Sequence, residues 1–160
     1  FRPSAAANPD HGFGTVTRLF SGARDLLAAI DDEIVHSLTS KRGPGKAICF
    51  EDQYISTGGQ LYELIVGHDR FIADLRPLVQ GIMRERGLEP GLCCHPYDLA
   101  AELIAREAGV SITDLSGKPL QARLCVEEEV AWVGYANREL RERVQPALEA
   151  ALRKRALIPA

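Results

Sequence analysis

Several things are scarce in this sequence, and each shortage excludes something. Its 160 residues carry 19 Lys and Arg against 22 Asp and Glu, a formal net charge of −3. That leaves no basic footprint for a phosphodiester backbone, so nucleic acid is disfavoured as a partner. No apolar run approaches the ~20 residues of a membrane-spanning helix, so no membrane partner is expected. Cys49, Cys93, Cys94 and Cys125 form no Cys-x-x-Cys pair, and Cys93-Cys94-His95 matches no structural zinc spacing. They read as reduced, packed thiols, and the expected location is cytoplasmic. Internal repeats and low-complexity stretches are missing too. The loop Ser40-Lys41-Arg42-Gly43-Pro44-Gly45-Lys46 is glycine-rich and basic but lacks the Gly-x-x-x-x-Gly-Lys-Ser/Thr form of a nucleotide loop. The first residue is Phe1 and no leader precedes it, so further sequence upstream is expected.

What is present suits one ordinary globular domain. Hydrophobic residues make up 46% of the chain and charged ones 26%, enough at this length to bury a real core. Residues 1–12, with two prolines and Asn8-Pro9-Asp10, suggest a flexible or surface-lying lead-in to a domain over 13–160. Phe13 to Phe20 has the β-branched and aromatic content of a strand. Ser21 should cap a helix to about Leu38, with Leu26, Leu27, Ile30, Ile34 and Leu38 inward. The acidic run Asp31-Asp32-Glu33 lies on that helix, where consecutive residues point in three directions, so it reads as a solvated face.

Ala47 to Phe50 should be a short buried strand. After it, Ser56-Thr57-Gly58-Gly59-Gln60 leads into a helix with Leu61, Leu64 and Ile65 inward. Glycines ahead of a helix let backbone approach a ligand, and the free N–H groups there favour an anion. A plain tight turn fits the same residues. Arg70 to Asp74 reads as a strand, and Leu78, Val79, Ile82 and Met83 as a short helix with Arg84 and Arg86 outward. Leu120–Val126 and Val130–Tyr135 read as further strands. Asn137 caps a last helix that Pro146 should kink.

The most informative stretch runs from His95 to Leu115. Pro96 pushes His95 out of helical geometry, and Asp98 is a good N-cap. Leu99, Ala100, Leu103, Ile104 and Ala108 share one face, with Glu102 and Arg106 paired outside. Gly109 can take the left-handed conformation that ends the helix, and Val110 to Leu115 follows as a strand.

This stretch resembles the C-terminal signature of the inositol monophosphatase family. The family order Pro-Trp-Asp, Asp-(Ile/Val)-Ala-Ala-Gly, Glu-Ala-Gly-Gly, Thr-Asp appears here as Pro96-Tyr97-Asp98-Leu99-Ala100-Ala101, Arg106-Glu107-Ala108-Gly109 and Thr113-Asp114. Tyr97 replaces Trp, and Val110 the second Gly. The family's Ser-x-Gly-(Ser/Thr)-Ala-Ala turn is matched by Ser56-Thr57-Gly58-Gly59-Gln60. The resemblance covers about Phe13 to Ala151, with an insertion between Leu75 and Cys94. It implies an α/β layered domain, a mixed β-sheet flanked by helices, like the C-terminal domain of that fold.

Family members are magnesium-dependent phosphomonoesterases. Carried over by motif, Asp98 would be a Mg2+ ligand, while Gly58, Gly59 and Gln60 would line the substrate pocket. Ala73 stands where inositol-specific members carry a substrate-binding Glu; Asp74 is the adjacent candidate, one residue along the strand and so on its other face. The family's Glu-Glu pair and Asp-Pro-(Ile/Leu)-Asp-Gly-Thr are missing, and one carboxylate does not hold a catalytic magnesium pair. No catalytic residue is assigned. The implied function is the C-terminal half of a phosphatase for a small phosphate monoester, inactive alone. Its implied partners are a phosphorylated metabolite, the N-terminal half and a second copy of the chain. The alternatives are a non-catalytic metabolite-binding or regulatory relative, or an unrelated α/β module holding phosphate at helix N-termini.

Overall fold

A four-stranded mixed sheet forms the middle layer of this computed structural model, which describes residues 1–38 and 48–159. The strands are β1 (Phe13–Val16), β2 (Asp69–Asp74), β3 (Ser111–Thr113) and β4 (Trp132–Tyr135), in the order β1-β2-β4-β3. β1 runs parallel to β2; β4 runs antiparallel to both its neighbours. The short buried strand expected at Ala47–Phe50 reduces, among its described residues, to one isolated parallel bridge from Phe50 to Phe13, with Phe50 44% exposed. Ala47 itself and the basic loop Ser40–Lys46 lie outside the described residues.

The period of two along β4 places the helices. Gly134 faces α2 (Thr57–Ile65), where an added Cβ would stand 2.5 Å from Leu64 Cδ1. Tyr135 points to the opposite face, and its phenol donates to Gln145 of α5 (Arg138–Lys154). On that face α5 packs against α1 (Arg24–Leu38). On the α2 face lies α4 (Glu102–Glu107), with α3 (Gln80–Glu85) following the short 3-10 turn Arg76–Val79. Trp132, Tyr135 and Phe71 are the largest side chains wholly buried between the layers. The architecture is the α/β mixed sheet flanked by helices that the sequence implied.

Several local expectations change. β1 stops at Val16 rather than Phe20, and beyond it Phe20 takes a positive φ of 58° and turns its carbonyl onto Gly91. Gly91 is needed there, since any Cβ would collide with that oxygen. Leu120–Val126 is not a strand: Leu124 is 90% exposed, and only Pro119 bridges to β3. Leu103 and Ile104 do not face inward. The helix begins late, at Glu102, after a separate 3-10 turn, Pro96–Leu99, so the apolar stripe rotates: Leu99 and Ala105 are buried in the core, and Ala101 and Ala108 pack against it partly buried. α5 runs unbroken across Pro146 as one helix, its Leu140, Val144, Leu148 and Leu152 all buried at four-residue spacing.

The acidic run of α1 is only partly solvated. Asp32 is exposed, but Glu33 pairs with Lys154 and Arg155 at 3.0 and 2.7 Å. Asp31 turns inward to Arg18 at 3.7 Å, its side chain only 13% exposed. Residues 1–12 lie along the surface, where Asn137 Nδ2 donates to the carbonyls of Ser4 and Ala6 at 2.8 and 2.9 Å.

Candidate functional site

The carboxyl end of β2 and the amino end of α2 meet at one small pocket. Ser56 is the N-cap of α2: its backbone is extended, and its hydroxyl accepts from the Gly59 N–H at 3.1 Å. That bond occupies the third free amide of the helix and leaves those of Thr57 and Gly58 at the mouth of the pocket. A Cβ on Gly58 would meet nothing within 4 Å, whereas one on Gly59 would run into the Tyr54 ring at 2.6 Å. The two glycines therefore do different jobs. Gly58 leaves the pocket floor open, and Gly59 admits an aromatic ring.

Asp98 approaches from the opposite wall. His95 is extended ahead of Pro96, as a residue before proline must be, and caps the 3-10 turn. Asp98 is the third residue of that turn rather than its cap. Its Oδ2 reaches back to the His95 N–H at 2.9 Å, which leaves the rest of the carboxylate partly exposed to the pocket. The His95 ring stacks on Tyr97, centroids 5.1 Å apart, and its Nδ1 is 3.5 Å from Asp98 Oδ2.

The pocket has a volume of about 150 Å³, and its polar wall is made by Ser56, Thr57, Gly58, Gln60, Arg76 and Asp98. Gly58, Gln60 and Asp98, which the sequence nominated, are thus brought together. Gln60 is 2% exposed; it donates to Thr17 Oγ1 at 3.0 Å and keeps an unpartnered Oε1. Asp74 and Gly59 do not line the pocket. Asp74 is wholly buried and grips Arg76 bidentately, at 2.8 Å to Nε and 2.6 Å to Nη2.

Arg76 is the residue that sequence reasoning missed. Besides Asp74 it bonds the carbonyls of Leu19 and Leu92, at 3.3 and 2.9 Å. It thereby ties three chain segments to one corner of the pocket. Burial opposes its charge, but the hydrogen bonds and field of Asp74 outweigh this and raise its pKa above the ordinary value. An Asp-x-Arg-Pro sequence leaving a strand was the only available clue, and it is a faint one.

These groups support binding of a small oxyanion better than nucleophilic chemistry. Burial pushes the thiols of Cys93 and Cys94 up to about 12, so both are neutral at physiological pH and neither is an activated nucleophile. The free amides at the α2 N-terminus favour an anion, while the Arg76 guanidinium is already held by Asp74 and two carbonyls. The magnesium implied by the resemblance is not accommodated by this chain's residues alone. Among the described residues, Asp98 is the one carboxylate lining the pocket.

The fold and pocket define an α/β layered domain with a helix N-terminus at the mouth of its pocket. No family model matches the chain, and no curated protein matches it by sequence. Solved structures do share its fold. The Thermotoga maritima IMPase superposes with a TM-score of 0.61 at 17% identity, over 96% of this chain and 46% of that one. A Pyrococcus horikoshii hypothetical protein with similarities for inositol-1 monophosphatase gives 0.54 at 18% identity, over 92% and 45%. The chain therefore spans a little under half the length of either. At such identities the likeness is one of fold, and that fold is of the inositol monophosphatase type.

Proposed function

We propose that this chain is the substrate-side, C-terminal half of a magnesium-dependent phosphatase for a small phosphate monoester. The observation that carries this reading is the convergence of the α2 N-terminus, Arg76 and Asp98 on one pocket, in a fold shared with an IMPase. The amides of Thr57 and Gly58 would receive phosphate or hydroxyl oxygens, with Arg76 fixing the corner. Asp98 would supply one ligand to a Mg2+ whose remaining ligands come from the acidic motifs this chain lacks. Magnesium would there activate water and neutralise the phosphate; this chain's own residues bind and orient the ester.

A binding or regulatory relative is the second reading. Ala73, 1% exposed on β2, supplies no polar group where inositol-specific members have Glu, and Asp74 is spent on Arg76.

Inorganic phosphate titrated into the chain, with and without Mg2+, tests the pocket through backbone amide NMR shifts. Thr57 and Gly58 should move saturably in the chain alone, and Mg2+ should tighten phosphate binding only when the acidic N-terminal half is joined to it, and then not in Asp98→Asn. Asn replaces the carboxylate's hydrogen bond to His95 but loses the charge a hard cation needs, so the metal-free melting temperature should stay nearly unchanged. Unmoved Thr57 and Gly58 amides would exclude the pocket as a phosphate site.

A further inference from the structure

Among the described residues, three helices end in a Schellman turn on a glycine, and α5 ends in the same turn on Ala156, pairing Leu152 with Leu157. Gly67, Gly87 and Gly109 have φ of 82°, 70° and 102°. In each case the next residue donates its amide to a carbonyl five positions back: His68 to Glu63 at 3.0 Å, Leu88 to Met83 at 2.9 Å, Val110 to Ala105 at 3.0 Å. This turn folds those two side chains toward each other, and the pair is commonly apolar. Met83 with Leu88 and Ala105 with Val110 follow that rule. At the end of α2 the pair is instead Glu63 and His68, with Nδ1 and Oε2 2.6 Å apart.

Neighbouring groups complete a cluster. Asp69 follows at the first residue of β2, 2% exposed, and its Oδ1 has no hydrogen-bond partner. That buried oxygen lies 3.9 Å from His68 Nδ1, and Asp52 Oδ2 lies 4.0 Å from the same nitrogen. Donor atoms of Glu63, His68 and Asp69 all fall within 4.8 Å of one another. Glu63 is itself only 6% exposed, and among the described residues no Lys or Arg pairs with Glu63, Asp69 or Asp52. Two buried carboxylates thus face one imidazole with no fixed cation to balance them, an arrangement that burial alone makes costly.

We propose that Glu63, His68 and Asp69, with Asp52 at the rim, bind one divalent first-row cation of the borderline class that Zn2+ represents. The donor chemistry sets the class: an imidazole nitrogen suits zinc and its neighbours, whereas Mg2+ takes oxygen ligands and several waters. Donors on one tetrahedral zinc stand about 3.4 Å apart, so the Glu63–His68 contact opens and the Asp69–His68 gap closes, each by under about 1 Å. The His68 ring is already positioned against Phe13, centroids 4.4 Å apart. Its partly exposed edge, with Asp52, gives the ion a way in from solvent. The site is separate from the pocket at Asp98: Asp69 and Asp74 are opposite ends of β2, about 16 Å apart at the rise of an extended strand. A cation here would clasp the end of α2 to the start of the central strand.

The test is a ZnCl2 titration of the chelator-stripped chain by calorimetry, with MgCl2 as a parallel arm. One Zn2+ per chain should bind and raise the melting temperature, with no comparable Mg2+ binding. Asp69→Asn and Glu63→Gln, both nearly isosteric, should each weaken Zn2+ at least about tenfold. Should either variant fail to fold, Co2+ in the wild type gives a second readout, a visible d–d band that Zn2+ displaces. The proposal is overturned by absent saturable Zn2+ binding, by equal Mg2+ binding, or by Zn2+ binding that survives both substitutions. Loss of binding on alkylation of the four thiols alone would also overturn it, because the cysteines would then be the ligands.

Discussion

Asp31 shows how a single side chain carries a pH dependence. Burial pushes its carboxyl from 3.8 up to about 7, and the Arg18 guanidinium beside it offsets only part of that. Asp69, also raised chiefly by burial to about 7, acts in the same direction. The folded chain therefore holds protons that the unfolded chain has released between about pH 4 and pH 7. The contribution of these two groups to stability falls as pH rises through that window, by up to about 4 kcal/mol for a shift of this size at one group. Asp31→Asn should remove that contribution, leaving stability near pH 4 little changed and raising it at pH 7. Urea melts at pH 4, 5.5 and 7 would show it, and parallel wild-type and variant curves would mean that folding leaves the Asp31 ionisation unshifted. The sequence reading placed Asp31 with Asp32 on a solvated face. Helical periodicity distinguishes the two directions but does not say that Arg18 would wait under one of them.

Helix ends are the elements that the sequence foretells best here. Gly109 was legible as a C-cap because only a residue without Cβ enters the left-handed region cheaply, and its φ is 102°. A Cβ there would meet nothing within 4 Å, so substitution strains the backbone without a clash. Gly109→Val should cost about 1 kcal/mol or more in a denaturant melt, the scale of a β-branched residue at positive φ. Gly67→Ala should cost more than Gly109→Ala, since at Gly67 the new Cβ would also lie 2.6 Å from the Arg2 carbonyl oxygen. Equal losses at the two sites would mean that the N-terminal segment yields freely. Helix starts were less legible: Asp98 has a capping side chain, yet it serves the turn from its third position while His95 takes the cap.

On the scale of the whole molecule, the pocket is, on the proposed reading, one wall of a larger site. Phe20, Ile55 and Leu92 stand on its rim with 51%, 72% and 61% of their surface exposed, and a single carboxylate faces inward. The chain alone should therefore show no Mg2+-dependent hydrolysis of a phosphate monoester above background. A phosphate-release assay on the pure chain checks this, and steady Mg2+-dependent turnover would show that the acidic motifs are not needed.

Local chemistry was readable without coordinates wherever it depended on neighbours in the chain. The Asn137 cap, the extended residue before Pro96, the Gly109 stop and the apolar stripe of α1 all follow from spacings of a few residues, where sterics and backbone hydrogen bonds act. Contacts between distant segments were not readable in that way. Arg76 gathers Leu19, Asp74 and Leu92. Leu103 and Ile104 face outward because α4 starts one turn late, and Leu124 lies exposed because its segment bridges the edge strand β3 only at Pro119. Glu63, His68 and Asp69 are close in sequence, yet their convergence needed the α2 Schellman turn to fold a helix end back onto the first residue of β2. Backbone sterics write the stops into the sequence; which side chains meet across them depends on how the layers pack.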